Sequence, residues 1–471
     1  MQLYPIVLIA VLLLADGGFG FAAGGPRLGP GAAFGVAVGG VLFVLAVTAA
    51  AVARCRRRLD RRRDPTAVVT AARIVQVARA ALLVHFGFVV LWLGWLETVR
   101  SLTGDLIAVD EIIAMLPTIA GVAATWWLFY PLERRVREAL LIRQLDEGRP
   151  VFGLPDRGVW VLTQLRTHLL FLLVPMLLIF TLAEVIDAAM GMLDEYSWAA
   201  SLGEVGALLA AVAVVIAAPL LSRVVLDVEP LAAGPQRDVL QDVCRRHRVT
   251  VRELLIWNTH GSMINAAVLG MIGRIRYVLL TDALLESMTP RQVEVVMAHE
   301  IGHVRRHHMP WLVVSLLAAI TLGMLPLLAT QALLAALEAA EPGPGWVTGG
   351  AVAGGIAGLI VFGWVSRRFE RQADVFAVAH LGAVDGSSEV FTDGAVEATC
   401  ETLARIASLN SVAATRSSWR HGSIAWRQAY LRSIAGRASA GLALDRQIRW
   451  IKISAALIVA AGVIAAVIGD F

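Results

Sequence analysis

The sequence contains a cluster of residue types that can hold a metal ion and activate water. The run His299-Glu300-Ile301-Gly302-His303 has the form H-E-x-x-H. Four residues advance a helix by about 400°, so the two histidines project from one face, one turn apart. Two imidazoles in this arrangement can bind one tetrahedral Zn²⁺, and Glu300, about 100° round the helix, can reach a water there as a general base. The motif therefore predicts a hydrolytic zinc site.

A catalytic zinc usually has three protein ligands and one open position. Glu370 is the candidate third ligand, and Asp374 lies four residues further on the same helical face. A carboxylate at Asp374 could accept the second N–H of a ligating histidine. Three arginines surround Glu370, so spacing alone also permits a solvated charge cluster. His307 and His308 lie beyond the motif, and we expect them to be polar residues at the level of the lipid headgroups rather than ligands.

The two motifs together resemble a known family. H-E-I-G-H, followed about seventy residues later by R-R-F-E-R-Q-A-D, resembles the membrane-embedded zinc endopeptidases of the CAAX prenyl protease family and the related bacterial heat-shock membrane protease. The resemblance implies one zinc ion per chain, with Glu370 as its third ligand beside His299 and His303. It also implies that Asp374 supports a ligating histidine.

Two further segments extend the resemblance. Asn265-Ala266 followed by Gly270 is similar to a strand of the family along which substrate backbone binds in extended form; read alone, it is a plain strand and turn. His421 and Arg427 resemble the pair that in the family stabilises the oxyanion, a charge that cationic donors favour. Read alone, His421 is a surface histidine. Gly422 also stands where the family has proline.

The elements that must position these residues can be predicted from local signals. Thr289, Pro290 and Gln292 form a helix start with a capping box, which predicts a helix to about His308. An amphipathic helix is predicted over 239–247. Short β-like runs separated by glycines predict a sheet of about three strands, at 254–257, 264–268 and 277–280. Residues 366–450 are predicted to be mostly helical.

Composition places these elements at a membrane. The chain has 471 residues, of which 58% are hydrophobic and 17% charged, whereas soluble domains are nearer 45–50% apolar and about 25% charged. This excludes a disordered chain and an ordinary soluble enzyme. A span needs roughly 20 apolar residues. Nine stretches are predicted as spans: 3–15, 32–53, 78–96, 112–130, 159–183, 199–221, 311–337, 347–365 and 451–468.

The charges are sorted between the loops. Seven arginines lie between residues 54 and 63, and a second Arg-rich loop follows the fourth span, whereas the alternate loops are acidic or nearly neutral. The positive-inside rule then places residues 222–310 and 367–450 in the cytoplasm. The net charge of +4 is too small to predict nucleic-acid binding. The three cysteines have no paired spacing, so neither a disulfide framework nor a cysteine metal site is expected.

The resulting prediction is a mainly α, polytopic transmembrane bundle with a gluzincin-like core and a small cytoplasmic sheet. Its regions are 1–221 (six spans), 222–310 (catalytic segment), 311–366 (two spans), 367–450 (third ligand) and 451–471 (last span). We expect an integral-membrane zinc metalloendopeptidase of the bacterial plasma membrane, whose catalytic site faces the cytoplasm. Its predicted partners are the lipid bilayer and a peptide or membrane-protein substrate, lipidated or not. The alternative is a catalytically silent scaffold or transporter that retains the fold.

Overall fold

The computed structural model describes residues 3–15, 28–104, 106–146, 151–193, 196, 198–337, 344–386 and 389–469. The chain divides into two compact units, Met1–Val228 and Glu229–Phe471. All the predicted site residues lie in the second unit.

The regular structure described in the first unit is helical as far as Val225. Its apolar cores combine small and branched side chains with large aromatic ones, among them Phe86, Trp95 and Trp126. Near the start of the fifth helix, Arg100 bonds the buried carboxylates of Asp110 and Glu111. The helices are α1 Leu3–Leu14, α2 Pro30–Arg62, α3 Thr66–Leu91, α4 Trp95–Thr103, α5 Val109–Asp146, α6 Arg157–Leu165, α7 Phe171–Gly191 and α8 Ala199–Val225.

The second unit contains a small mixed sheet of four strands, one more than predicted. Its strands are β1 Val228–Pro230, β2 Glu253–Trp257, β3 Ala266–Leu269 and β4 Tyr277–Thr281, in the order β1-β2-β4-β3. β4 is fully buried and pairs parallel with β2 and antiparallel with β3, so β3 is an edge strand. β1 was not predicted because three residues are too few to show alternation.

One helix of the second unit, α9, lies between β1 and β2 in the chain, and the others follow β4. They are α9 Pro235–Arg246, α10 Asp282–Ser287, α11 Pro290–Arg305, α12 His308–Ala336, α13 Pro344–Val384, α14 Asp393–Leu409, α15 Ile424–Ile434 and α16 Ala443–Gly469. α11 begins with the predicted capping box at Thr289 and Gln292. It ends at Arg305, earlier than predicted, because His307 takes a left-handed conformation with φ of 54° and α12 begins at His308.

Seven helices of the described part are long and apolar enough to cross a membrane, against the nine spans predicted. They are Pro30–Arg62, Thr66–Leu91, Val109–Ile142, Arg157–Gly191, Ala199–Val225, His308–Pro326 and Ala443–Ala465. The first predicted span is the 12-residue helix α1, whose length of about 18 Å is short for a hydrocarbon core of about 30 Å. The eighth, 347–365, lies within α13, and its first side chains lie outside the described residues.

α13 is the longest helix described, with 41 residues. It continues without a break through residue 366, where a region boundary was predicted, and carries Glu370 and Asp374 on its second half. Cys55, Cys244 and Cys400 are free and buried.

Candidate metal centre

The site is built where α11 packs against α13. The two helices approach each other closely at Gly302, where an added Cβ would lie 3.1 Å from the Cβ of Phe376. A side chain at this position would require Phe376 to shift by a few tenths of an ångström, because the interior is closely packed. The glycine inside the H-E-x-x-H motif therefore lets the two histidines of α11 meet the carboxylates of α13.

Three side chains converge on one point between these helices. The Nε2 atoms of His299 and His303 lie 3.2 Å apart. The Glu370 carboxylate lies 3.7 Å from His299 Nε2 through Oε2 and 3.6 Å from His303 Nε2 through Oε1. Together they form the His-His-Glu group able to hold a metal ion in the described part of the chain.

These separations fit a zinc ion. Ligand distances of 2.0–2.2 Å in a tetrahedral arrangement place neighbouring donor atoms about 3.3–3.6 Å apart. The three donor separations of 3.2, 3.6 and 3.7 Å lie close to that range. Two imidazoles and one carboxylate are also the donor set of a catalytic rather than a purely structural zinc site.

Hydrogen bonds fix which nitrogen of His299 faces this point. His299 Nδ1 lies 3.0 Å from Asp374 Oδ1, so Nδ1–H donates to the carboxylate and the Nε2 lone pair is left for a metal. Burial acts to lower the pKa of His299, but the hydrogen bond and charge of Asp374 outweigh it and raise the pKa. Asp374 thus increases the basicity of the ligand that it orients.

A longer relay serves His303 in the same way. His308 Nε2 donates to Gln372 Oε1 at 2.9 Å, which leaves His308 Nδ1 as the acceptor for His303 Nδ1–H, also at 2.9 Å. Gln372 Nε2 in turn donates to Asp445. His303 therefore presents an unprotonated Nε2 toward Glu370. Burial lowers the pKa of His303 to about 4, so this imidazole is neutral, as a ligand must be.

The relay corrects the expectation for His308. It is not a solvated residue at the headgroup level: it is fully buried and stacks on Phe369. Only the break of the helix at His307 allows this, since five further residues of continuous helix would turn His308 away from the face of His303. His307 itself is exposed, as expected. Gln372 lies inside the second motif, but its spacing from the other residues did not identify it as part of the site.

Arg427 joins the two carboxylates of α13. It is buried on α15 and bonds Asp374 through Nε at 2.7 Å and through Nη2. Its Nη1 lies 3.4 Å from Glu370 Oε2. Burial opposes ionisation of both carboxyl groups, but the charge of Arg427, together with a hydrogen bond from His421 to Glu370, holds the pKa of Glu370 well below its usual value. The pKa of Asp374 is also lowered, by the charge and hydrogen bond of Arg427 and by the hydrogen bond from His299.

His421 reaches Glu370 from a tight loop before α15. Its Nδ1 lies 3.0 Å from Glu370 Oε1, and half of its side chain is exposed. The loop is closed by paired backbone hydrogen bonds between Ser418 and Gly422. Gly422 has φ of +72°, a value that proline cannot adopt. The proline of the family is therefore incompatible with this loop conformation.

Glu300 lies beside the three donors and faces the sheet. Burial raises its pKa to about 7, although the nearby His299 opposes the shift. A carboxylate with a pKa near neutrality is suited to take up and release a proton. Its side chain also lies near the backbone N–H of Val268, in the edge strand β3.

The predicted substrate strand lies at this edge. Ala266 is the first residue of β3, and Asn265 precedes it with its backbone paired to Thr281. A residue not predicted, Asn410 at the end of α14, fixes the approach to the strand: its amide exchanges two hydrogen bonds with the backbone of Ile264. β3 is the edge strand of the described sheet, and its residue Val268 lies next to the side chain of Glu300 on α11.

The relay gives a testable expectation for Gln372. Gln372→Ala leaves the Nε2–H of His308 without its acceptor, and we expect zinc affinity to fall about 10- to 100-fold, as outer partners of ligating histidines typically contribute. Competition with a chromophoric chelator measures this affinity. Gln428→Ala is the matched control, because Gln428 donates to the backbone of Cys400 and not to the relay through His308. Equal zinc affinity in the two variants would show that the relay does not support His303.

A known peptidase family matches the segment of the chain that contains the metal centre. Residues 238–415 match the sequence profile of peptidase family M48. The match confirms the resemblance seen in the two motifs. The M48 segment (residues 238–415) contains both motifs and the strands β2, β3 and β4, but it ends before His421 and Arg427. The positions of those two residues therefore rest on the structure.

Solved structures give a weaker likeness. The crystal structure of S. mikatae Ste24p is similar to the chain with a TM-score of 0.43 and 14% sequence identity, covering 84% of this chain and 98% of that one. No curated protein matches the sequence.

Proposed function

We propose that the chain is an integral-membrane zinc metalloendopeptidase that hydrolyses peptide bonds near the cytoplasmic face. The observation that carries the proposal is the convergence of His299, His303 and Glu370, with their donor atoms 3.2–3.7 Å apart. The M48 segment and the seven apolar helices support a membrane-bound peptidase. The Arg-rich loops favour the cytoplasmic side.

His299, His303 and Glu370 would hold the zinc ion. When bound there, zinc supplies a Lewis acid that lowers the pKa of water enough for attack near neutral pH. Asp374 and the relay through His308 keep both histidines in the tautomer that this requires. Arg427 keeps the two carboxylates ionised and in place.

Glu300 is the proposed general base. It accepts a proton from the attacking water and then delivers that proton to the amine of the leaving peptide, so one carboxyl group serves both halves of the reaction. His421 and Arg427 are proposed to stabilise the charge on the carbonyl oxygen. His421 is half exposed beside Glu370, and Arg427 Nη1 is not bonded to Asp374.

The substrate is proposed to bind as an added strand. An extended peptide along the edge of β3, at Asn265 and Ala266, would form main-chain hydrogen bonds and so require little of its sequence. A peptide bound in this way would have a peptide bond beside Glu300, because the Glu300 side chain lies close to Val268 of β3. Both substrate classes considered, lipidated C-terminal peptides and membrane proteins, can supply such a segment.

Removal of the metal tests the function directly. We expect the purified chain to contain one zinc ion, a strong chelator to abolish cleavage of an unfolded peptide, and added Zn²⁺ to restore it. Mass spectrometry identifies the products and elemental analysis measures the zinc. Matched peptides with and without a C-terminal prenyl group separate the two substrate classes. Zinc binding without cleavage of either peptide would instead support the silent scaffold or transporter.

A further inference from the structure

A cavity of about 520 Å³ lies in the second unit, apart from the three donors of the metal centre. It lies between the start of α12, the second half of α13 at Gln372 and the first half of α16. Its size is within the roughly 300–1,000 Å³ of small-molecule sites. An apolar wall lines most of it, formed by Trp311, Ile448, Ile453 and Leu457.

The other side of the cavity is cationic. A basic rim consists of Arg306, Arg449 and Lys452, and Lys452 is the single lysine of the chain. Its Nζ donates to the Arg306 carbonyl at 2.8 Å and lies 5.5 Å from the centre of the Trp311 ring. One acidic residue, Asp445, also lines the cavity, but its carboxylate accepts a hydrogen bond from Gln372. The cavity therefore carries an excess of positive charge.

The position of the rim matches the boundary of a bilayer. α12 and α16 are two of the seven helices apolar enough to span a membrane. α12 begins two residues after Arg306, and the part of α16 that follows Lys452 has no charged residue. Two tryptophans lie near this rim: the ring centre of Trp311 is 5.5 Å from Lys452 Nζ, and the largely exposed Trp450 precedes Lys452 by two residues. Aromatic residues are enriched in this way at membrane interfaces. Further along α16, the side chains of Ile453 and Leu457 are exposed on the surface of the helix.

We propose that this cavity is a binding site for one anionic phospholipid. The phosphodiester group lies against the basic rim, and an acyl chain follows the apolar wall along α16. Basic pockets between membrane helices are suited to anionic headgroups, with about 1 kcal/mol, or about fivefold in affinity, for each Lys or Arg near the surface. The site goes beyond the proposed peptidase reaction and requires no step of it.

Lipid binding to the full chain tests the proposal. Native mass spectrometry of the chain in detergent, titrated with phosphatidylglycerol or phosphatidylcholine, gives the affinity for each lipid. We expect one phosphatidylglycerol to bind more tightly than phosphatidylcholine, and Arg449→Gln with Lys452→Gln to weaken phosphatidylglycerol binding about 30-fold. Arg449→Gln alone, which leaves the Lys452 hydrogen bond intact, should weaken it about fivefold.

Arg446→Gln is the matched control, because Arg446 is an exposed arginine on α16 that does not line the cavity. It should leave lipid binding unchanged. Equal affinities for the two lipids, or an unchanged phosphatidylglycerol affinity in the double variant, would overturn the proposal. So would displacement of the lipid by millimolar inorganic phosphate, which would indicate a site for a soluble anion. A change in oligomeric state confined to the double variant would indicate a second copy of the chain as the occupant, and would overturn it as well.

Discussion

Glu300→Gln is expected to retain zinc at the wild-type level and to lower the rate of peptide hydrolysis by about 100- to 10,000-fold, the usual contribution of a general base. Glutamine has nearly the shape of glutamate but cannot accept a proton at neutral pH. The three donor atoms do not include the Glu300 carboxylate, so metal binding should be preserved. Single-turnover rates and zinc content per chain measure the two effects separately.

Glu401→Gln provides the control for this substitution. Glu401 is exposed on α14, and its replacement makes the same chemical change away from the donors. We expect wild-type zinc content and wild-type cleavage from it. Full activity of Glu300→Gln would contradict the proposed base, whereas loss of zinc from it would show that Glu300 maintains the metal centre rather than the proton transfer.

Glu370→Ala has the second large effect, on metal binding itself. Removing this carboxylate leaves two imidazoles and the positive charge of Arg427 around the metal position. Even partners that only orient ligands typically contribute 10- to 100-fold to metal affinity, so loss of a ligand should weaken zinc binding by at least about 10-fold. Equilibrium dialysis followed by elemental analysis measures the zinc retained.

Two companion variants sharpen the result. Glu370→Gln preserves the volume of the side chain and removes its charge, so it should also lose zinc if the carboxylate is a ligand. Glu401→Ala controls for the loss of a surface carboxylate. Wild-type zinc affinity in both Glu370 variants, with the protein folded by circular dichroism, would mean that the third ligand lies elsewhere.

Predictions based on local sequence correspond closely to the structure. The start of α11 follows from the chemistry of Thr289 and Gln292, since a capping box satisfies backbone groups within four residues. The common face of His299 and His303 follows from helical geometry alone. The apolar spans follow from composition, and seven of the nine are found among the helices of the described residues.

Features that depend on packing between distant elements could not be predicted in the same way. His308 was expected to be solvated, yet a left-handed residue at His307 turns it into the interior beside His303. Asn410 fixes the start of β3 from the end of α14, and no pattern in the sequence connects the two. The roles of His421 and Arg427 were taken from a resemblance, not from spacing.

The sequence by itself therefore determined the chemistry available: two histidines on one helical face with a glutamate about 100° round the same helix, in a chain too apolar to be an ordinary soluble enzyme. A helix of fixed pitch makes that arrangement local. Only the tertiary structure decided how the remaining residues complete it, because the approach of α13 at Gly302 brings Glu370 and Asp374 to α11. The break at His307 then adds His308, and the fold of α15 adds Arg427. Helix pitch can be calculated from the order of residues, whereas the meeting of helices far apart in the chain depends on how side chains fill the space between them.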